Sequence, residues 1–214
     1  MKGYLSVPKT FRYFTYGDPV KARFLLYVFH GYGQLAEYFI RKFHGLDEDY
    51  FIVAPEGMHR FYLEGSSGRV GASWMTKEER ETDISDNLKF LNTLHERILS
   101  EHEFQRVIIL GFSQGGATAA RWHYNGSVNA DHLIIWASVF PPDLNIEQEI
   151  MDNNKGSNGF FIGEQDQFYT EVQQKEQLHL YQSKGFESIH YNGYHDISLA
   201  VLRPFLEKIT GPLI

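Results

Sequence analysis

Short apolar segments alternate with amphipathic segments along most of the chain. The apolar segments are rich in β-branched and aromatic residues and are bounded by turn-forming residues, which is typical of buried β-strands. A weaker strand is predicted at residues 188–191, and residues 10–15 are a candidate for an N-terminal edge strand. The five clearest strands are predicted at residues 24–29 (FLLYVF), 50–54 (YFIVA), 107–110 (VIIL), 133–137 (LIIWA) and 159–162 (GFFI).

The segments between these strands have helical spacing. In the clearest of them one apolar stripe recurs at steps of four and three, formed by Ile84, Leu88, Leu91, Leu94 and Ile98. Thr76 and Glu79 have the spacing of a capping box, so we expect this helix to begin there. Residues 56–75 are rich in glycine and are predicted to form a loop. Further helices are predicted at residues 35–43, 116–124, 171–184 and 197–209.

This alternation of strands and helices predicts an α/β fold with a mainly parallel central sheet of about seven strands. The strands are apolar along their whole length, so we expect helices to cover both faces of the sheet. The length of 214 residues suits a single domain spanning residues 1–214. In sheets of this kind, functional residues gather beyond the carboxyl ends of the strands.

Composition narrows the range of functions. A hydrophobic fraction of 43% and a charged fraction of 22% are those of a soluble globular protein. The net charge of −7, without a basic cluster, disfavours nucleic acid or an anionic membrane surface as a partner. No apolar run approaches the roughly 18 residues of a spanning helix, so we expect no stable membrane insertion. The chain has no cysteine and no secretory signal, so we expect a cytoplasmic location.

Residues 111–115 read GFSQG and form a G-x-S-x-G pattern where a predicted strand gives way to a helix. A sharp turn at that point lifts the serine hydroxyl above the sheet, and the crowding of the turn favours glycine at both flanks. The start of the helix also offers unpaired N–H groups to a developing oxyanion. Ser113 is therefore a candidate nucleophile. The alternative interpretation is a serine that only opens a helix on a glycine turn.

A serine nucleophile needs a base and a group that orients the base. Asp166 follows the strand at residues 159–162, and His195 follows the weak strand at residues 188–191. This Ser–Asp–His order is that of hydrolases with a nucleophile at a strand-to-helix turn. Glu164 is the nearest alternative to Asp166. A turn aspartate and a solvated loop histidine are the non-catalytic interpretations.

The loop HGYGQ at residues 30–34 follows the first long strand and fits an oxyanion hole. We expect one backbone N–H donor from Tyr32 and the other from Gln114, the residue after the serine. His30 is expected to brace the loop rather than act as a base, and His190 is expected to be structural.

The same loop also resembles a dinucleotide-binding fingerprint. Gly31, Gly33 and Ala36 have part of the required spacing, and Glu56 follows after the next strand. That interpretation leaves the Ser113, Asp166 and His195 loops unexplained, and we disfavour it. Neither a P-loop motif nor an H-E-x-x-H motif is present, so we expect neither a P-loop nucleotide site nor a zincin-type metal site.

Taken together, these segments resemble the α/β-hydrolase superfamily, and most closely its phospholipase/carboxylesterase group, which includes acyl-protein thioesterases. The resemblance implies a serine hydrolase of carboxylic esters or thioesters that needs no cofactor. It implies a Ser113–Asp166–His195 triad, an oxyanion hole of the Tyr32 and Gln114 amides, and an acyl pocket lined by Trp74. The segments that carry it are FHGYGQ, the Ala54-Pro55 pair, Trp74, GFSQGGA, GEQD and GYH.

Several positions depart from the pattern of that group. Gln34 replaces a frequent aspartate, Met-Thr follows Trp74, and Phe168 replaces a small aliphatic residue. Arg60 and Arg69 could meet an acidic substrate, although solvated or salt-bridged arginines are the more common case. Without a long insertion for a lid, we expect an open pocket for small to medium acyl groups of a small-molecule ester or thioester. A non-catalytic ligand-binding protein and an amidase or peptidase are the alternatives.

Overall fold

The computed structural model describes residues 1–144 and 157–211. Its main feature is a seven-stranded sheet. The strands are β1 Tyr13–Tyr16, β2 Phe24–Phe29, β3 Tyr50–Pro55, β6 Arg106–Phe112, β7 His132–Trp136, β8 Asn158–Gly163 and β9 Phe186–Tyr191. Their order across the sheet is β1-β3-β2-β6-β7-β8-β9. β1 is antiparallel to β3 and the other neighbours are parallel, which confirms the predicted, mainly parallel sheet. A separate two-stranded sheet is formed by β4 His59–Glu64 and β5 Ser67–Ser73.

Helices cover both faces of the main sheet. The described ranges contain α1 Ala36–Phe39, which continues into a 3₁₀ turn at Ile40–Phe43, α2 Arg80–Glu101, α3 Gln114–Asn125, α4 Glu171–Ser183 and α5 Leu199–Thr210. Apolar residues of α2, α3 and α4 pack in one core cluster, and those of α1 and α5 pack in the other.

The strand β2 shows why the main strands appear in the sequence as continuous apolar runs. Leu25 and Tyr27 belong to the cluster on one face, whereas Leu26 and Val28 belong to the cluster on the other. All six residues of β2 are buried. Successive side chains of a strand point to opposite faces, so a strand that is covered on both sides must be apolar throughout.

The prediction of a loop at residues 56–75 is wrong. These residues contain the β4–β5 hairpin, whose strands pair antiparallel with Arg60 opposite Ala72. Gly65 and Gly68 have positive φ angles of 60° and 86° at the turn. Most of β4 and the first half of β5 are partly or fully exposed, so the hairpin lacks the continuous apolar run that marks the strands of the main sheet.

The predicted capping box at Thr76 and Glu79 is also wrong. The hydroxyl of Thr76 bonds to the backbone of Glu78, and α2 begins only at Arg80 after Glu79 in a left-handed conformation. A capping box does occur at the start of α4. There the N–H of Gln173 donates to the Thr170 hydroxyl, and the Thr170 N–H donates to the Gln173 side chain.

A buried carboxylate joins the edge of the sheet to α1. Glu56 is 2% exposed, and its two oxygens lie 2.6 and 3.0 Å from the guanidinium nitrogens of Arg12. The Ala36 N–H, at the start of α1, donates to the same carboxylate over 3.2 Å. Arg60 lies further away, at 3.8 Å. This use of Glu56 also removes the acid that the dinucleotide-binding interpretation would require.

We expect Arg12→Ala to destabilise the protein more than Glu56→Gln. Removing Arg12 leaves a buried carboxylate without its main partner, at a cost of about 2–3 kcal/mol. Removing the charge of Glu56 instead frees an arginine whose side chain is 38% exposed and can be hydrated. Urea unfolding at pH 7 measures both effects, with Arg12→Lys as the control that retains the charge. Equal losses, or a larger loss in Glu56→Gln, would contradict this account.

Candidate active site

Four loops meet beyond the carboxyl ends of the parallel strands. Residues 31–34 follow β2, Ser113 follows β6, Asp166 follows β8 and His195 follows β9. The strand order reverses between β2 and β6, because β2 connects onward to β3 on one side and β6 to β7 on the other. Ligands of open α/β sheets bind at such a reversal point. The serine and the expected oxyanion loop therefore lie on either side of it.

The turn at Ser113 is strained and tightly packed. Ser113 has φ 51° and ψ −123°, a conformation that costs free energy for a residue with a side chain. The neighbouring backbone leaves no room at its flanks. A Cβ at Gly111 would lie 2.5 Å from the Gly116 Cα, and one at Gly115 would lie 2.5 Å from the His30 carbonyl oxygen. This is the geometry expected of a serine that is lifted above the end of its strand.

Asp166 and His195 form a short hydrogen bond. The distance from His195 Nδ1 to Asp166 Oδ2 is 2.6 Å, and the Asp166 side chain is fully buried. The Phe168 N–H donates to the other carboxylate oxygen over 2.9 Å. An ionised carboxylate only accepts hydrogen bonds, so Nδ1 carries the proton and Nε2 is the ring nitrogen left for chemistry. Glu164, the alternative acid, is exposed to solvent.

Ser113 and His195 open onto the same cleft, whose volume is about 610 Å³. The His195 ring lies between Phe112 and Phe168, with ring centroids 4.8 and 4.5 Å away. Within the described part of the chain, the Ser113 hydroxyl has no hydrogen-bond partner. The remaining lining residues are Gly31, Tyr32, Gln34, Val139, Tyr169, Gln173, Glu176 and Gln177.

The two expected oxyanion donors lie beside the serine. Neither the Tyr32 N–H nor the Gln114 N–H bonds to another of the described residues. Gly31 packs directly on the serine, since a Cβ there would lie 3.2 Å from the Ser113 Cβ. The Gln114 side chain is fixed at the end of β5, where it donates to the Met75 carbonyl and accepts from the Trp74 N–H.

The β4–β5 hairpin holds the loop that carries the Tyr32 amide. The Gly33 N–H donates to the Ala72 carbonyl over 2.9 Å, and the Ala72 N–H donates to the Gln34 carbonyl over 3.1 Å. Gly71 lies so close that a Cβ on it would be 2.4 Å from the Gly33 carbonyl oxygen. The hairpin therefore fixes the position of this loop through main-chain contacts.

His30 acts as a brace between two loops. It is fully buried, its Nδ1 lies 2.8 Å from the Gly31 carbonyl oxygen, and its Nε2 accepts from the Gly57 N–H over 2.9 Å. Burial lowers the pKa of His30 to about 4. A ring that is neutral and bonded at both nitrogens has no nitrogen left to act as a base toward Ser113.

Trp74 does not line the cleft, contrary to the expectation from sequence. Its side chain is fully buried, and its indole N–H donates to the His30 carbonyl over 2.9 Å. The indole stacks on the His30 ring, with centroids 5.0 Å apart, and packs against Phe29. Because β5 runs alongside the loop after β2, the ring points into the core below that loop.

Arg60 and Arg69 are not among the residues that line the cleft either. Arg60 lies 3.8 Å from the Glu56 carboxylate, as expected of a braced arginine. Sequence reasoning instead missed the residues of α4 that line the cleft: Gln173, Glu176 and Gln177. Their spacing of three and four, just after the Asp166 loop, was the available signal.

In residues 1–144 and 157–211, no helix combines the length and the apolar character needed to cross a membrane. The same residues contain no group of three or more His, Asp or Glu side chains that could hold a metal ion.

The mainly parallel sheet and the serine turn after β6 define the α/β-hydrolase fold. A family model described as "Serine hydrolase (FSH1)" matches residues 20–198. The chain therefore belongs to the FSH1 serine hydrolase family. No curated protein sequence matches it significantly.

Solved structures of other proteins share this fold. A carboxylesterase from Mesorhizobium loti superposes with a TM-score of 0.69 at 17% identity, covering 94% of this chain and 95% of that one. The Bacillus cereus carboxylesterase gives 0.63 at 17% identity, with 92% of both chains covered. Acyl-protein thioesterase 2 of Zea mays gives 0.62 at 12% identity, covering 92% of this chain and 96% of that one.

We expect Gly71→Ala to lower hydrolase turnover by about tenfold to a hundredfold, the usual effect of displacing a transition-state donor. The added methyl group would push the Gly33 backbone and with it the Tyr32 amide. Turnover and melting temperature are measured together. Gly65→Asn at the hairpin turn is the control, because a Cβ there meets nothing within 4 Å and asparagine tolerates φ 60°. Unchanged turnover in Gly71→Ala would show that the hairpin does not position the loop.

His30 should make stability depend on pH below neutrality. The folded pKa of about 4 lies below the ordinary value of 6.5, so the unfolded chain binds more protons between these pH values. The contribution of His30 to the free energy of unfolding is complete above pH 6.5 and is lost as the pH falls toward 4. The total loss is about 3 kcal/mol.

Urea unfolding at several pH values between 4 and 7 tests this dependence, with His30→Gln as the variant that removes the titrating ring. The loss of stability on acidification should be smaller in the variant than in the wild type. Burial also lowers the pKa of His95 and His132, so part of the dependence will remain. An identical pH dependence in both proteins would contradict the assignment.

Proposed function

We propose that this serine hydrolase is a carboxylesterase that cleaves small to medium acyl esters or thioesters through an acyl-enzyme on Ser113. The observation that carries the proposal is the 2.6 Å bond between Asp166 and His195, on a ring that opens onto the same cleft as the strained serine. A buried acid, an oriented imidazole and a hydroxyl that opens onto the cleft are the three parts that nucleophilic acyl transfer needs.

In the proposed cycle, His195 Nε2 accepts the proton of Ser113 as the serine Oγ attacks the carbonyl carbon of the ester. The serine hydroxyl must turn toward the imidazole, which its freedom from other hydrogen bonds permits. Catalytic contacts of this kind commonly tighten only when substrate is bound. Asp166 holds the tautomer with the proton on Nδ1 and stabilises the imidazolium that forms.

Attack places a negative charge on the former carbonyl oxygen. The amides of Tyr32 and Gln114 are the proposed donors to this oxyanion, where each such donor is worth about 3 kcal/mol in the transition state. His195 then donates its proton to the departing oxygen or sulfur, and the C–O or C–S bond breaks. In the second half, His195 removes a proton from water, and the hydroxide attacks the acyl carbon. The bond from that carbon to Ser113 Oγ breaks, His195 returns the proton to Oγ, and the carboxylic acid leaves.

The shape of the cleft supports a small-molecule substrate. Its volume of about 610 Å³ accommodates a medium acyl chain, and Phe168 at its edge is 67% exposed. The apolar lining of Phe112, Val139 and Phe168 suits an alkyl group. The proposed cycle uses only the protein's side chains, its amides and water. Because the sequence contains no cysteine, we also propose a cytoplasmic location.

Labelling with a fluorophosphonate probe tests the nucleophile. We expect a single adduct at Ser113, located by peptide mass spectrometry, and hydrolysis of p-nitrophenyl esters that is lost in Ser113→Ala. A folded protein that neither labels nor turns over would favour the ligand-binding alternative. Faster cleavage of amides than of matched esters would favour the amidase or peptidase alternative.

The choice of acid is tested by a matched pair of variants in one loop. Asp166→Asn should lower kcat by about 10⁴-fold, because the imidazole then loses the partner that sets its tautomer. Glu164→Gln, at the exposed alternative acid two residues earlier, should stay close to the wild type. Circular dichroism controls for folding. The reverse order of effects would assign the role to Glu164.

A further inference from the structure

One wall of the cleft is polar, and it comes from a single face of α4. Gln173, Glu176 and Gln177 are spaced by three and four residues, so their side chains lie on the same side of the helix. All three line the cleft, opposite in character to the apolar Phe112, Val139 and Phe168. The proposed ester hydrolysis does not require this wall. It can therefore determine which substrate the enzyme accepts.

The charge of the lining is one-sided. Glu176 is the only carboxylate among the residues that line the cleft, and neither a lysine nor an arginine lines it within the described part of the chain. Arg60 and Arg69, the arginines that the sequence suggested for an acidic substrate, lie outside the lining. A carboxylate-bearing substrate would meet repulsion here without a compensating cation, whereas a cationic substrate would be attracted.

The wall also contains an unused hydrogen-bond acceptor, which lies just below the cleft surface. The Oε1 atom of Gln177 is buried and has no partner among the described residues. The corresponding oxygen of Gln173 is already occupied, since it accepts from the Thr170 N–H over 2.9 Å and from the Thr170 hydroxyl over 3.1 Å. A buried acceptor without a partner is unfavourable. Rotation of the Gln177 amide toward the cleft would let a substrate N–H group satisfy it.

Aromatic rings complete this side of the cleft. Phe168 and Tyr169 line it next to the polar wall. The faces of such rings attract ammonium groups and also pack against the methylene chain that carries them. The rings, the carboxylate and the unpartnered acceptor therefore all favour a protonated amino group.

We propose that the cleft selects esters or thioesters that carry a protonated amine, with the positive charge near Glu176 and an N–H donated to Gln177 Oε1. The proposal rests on the proposed hydrolase function and adds the substrate class to it. Glu176 and Gln177 are then residues that determine specificity, and they take no part in the proton transfers at Ser113.

The test compares p-nitrophenyl esters of equal chain length that differ only at the far end. These are the 6-ammoniohexanoate, the uncharged heptanoate and the adipate monoester, measured as kcat/KM at low ionic strength. We expect the cationic ester to exceed the anionic one by roughly tenfold, the sum of a partly screened attraction and a similar repulsion. The difference should shrink as salt is added. Hexanoate esters of an amino alcohol, of the matched uncharged alcohol and of the matched hydroxy acid test the same preference on the leaving-group side.

Variants assign the preference to the wall. Glu176→Gln should reduce the ratio of cationic to uncharged turnover by up to about fivefold, and Glu176→Lys should favour the anionic ester. Glu171→Gln, at an exposed position of the same helix outside the cleft lining, removes the same charge and should leave all three rates unchanged. This control separates a local effect from the net charge of the protein.

The acceptor is tested separately from the charge. Gln177→Met should lower the turnover of the ammonium ester more than that of the matched trimethylammonium ester, because the latter has no N–H to donate. Equal turnover of the three end groups in both ester series would overturn the inference while the esterase proposal stands. Absence of turnover with every ester would overturn the proposed function instead.

Discussion

Contact between main-chain segments, with no room for a side chain, is the constraint on which the site depends. Gly115 at the start of α3 packs on the carbonyl oxygens at the end of β2, and Gly71 of the hairpin packs on Gly33. These contacts connect the serine turn, the loop with the Tyr32 amide and the hairpin in one continuous series. The strained conformation of Ser113 persists because the surrounding backbone determines it. The polar side chains of the site then occupy the positions that this main-chain framework leaves to them.

The central sheet was predictable because each of its main strands is covered on both faces. A fully buried strand such as β2 must be apolar at every position, which makes a short, continuous and recognisable run. The β4–β5 hairpin gives no such run. Its strands pair with each other and lie outside the main sheet, so many of its side chains remain in solvent. The prediction of a capping box at Thr76 was wrong for a related reason. Local residue spacing alone does not determine the residue at which a helix begins.

Candidate site residues could be predicted where they directly follow a strand of the parallel sheet. Ser113, Asp166 and His195 each follow a strand, and parallel strands end at one edge, so their proximity could be inferred from order alone. Trp74 could not be placed in this way. Its neighbours in the sequence leave open whether the indole points into the cleft or into the core, and packing against His30 decides it. The α4 wall was missed because glutamine and glutamate at helical spacing are typical of a solvated helix face.

The two ends of the hairpin differ in what they allow to change over evolution. At the turn, Gly65 and Gly68 have no neighbouring atoms within 4 Å of an added Cβ, so extra residues there would enter solvent. At the base, Gly71 and Ala72 are tied to the loop beside the serine. A lengthened turn can therefore become a lid over the cleft while the base keeps its geometry. The same scaffold can in this way acquire new substrate ranges by insertion, without rebuilding the machinery that would cleave them.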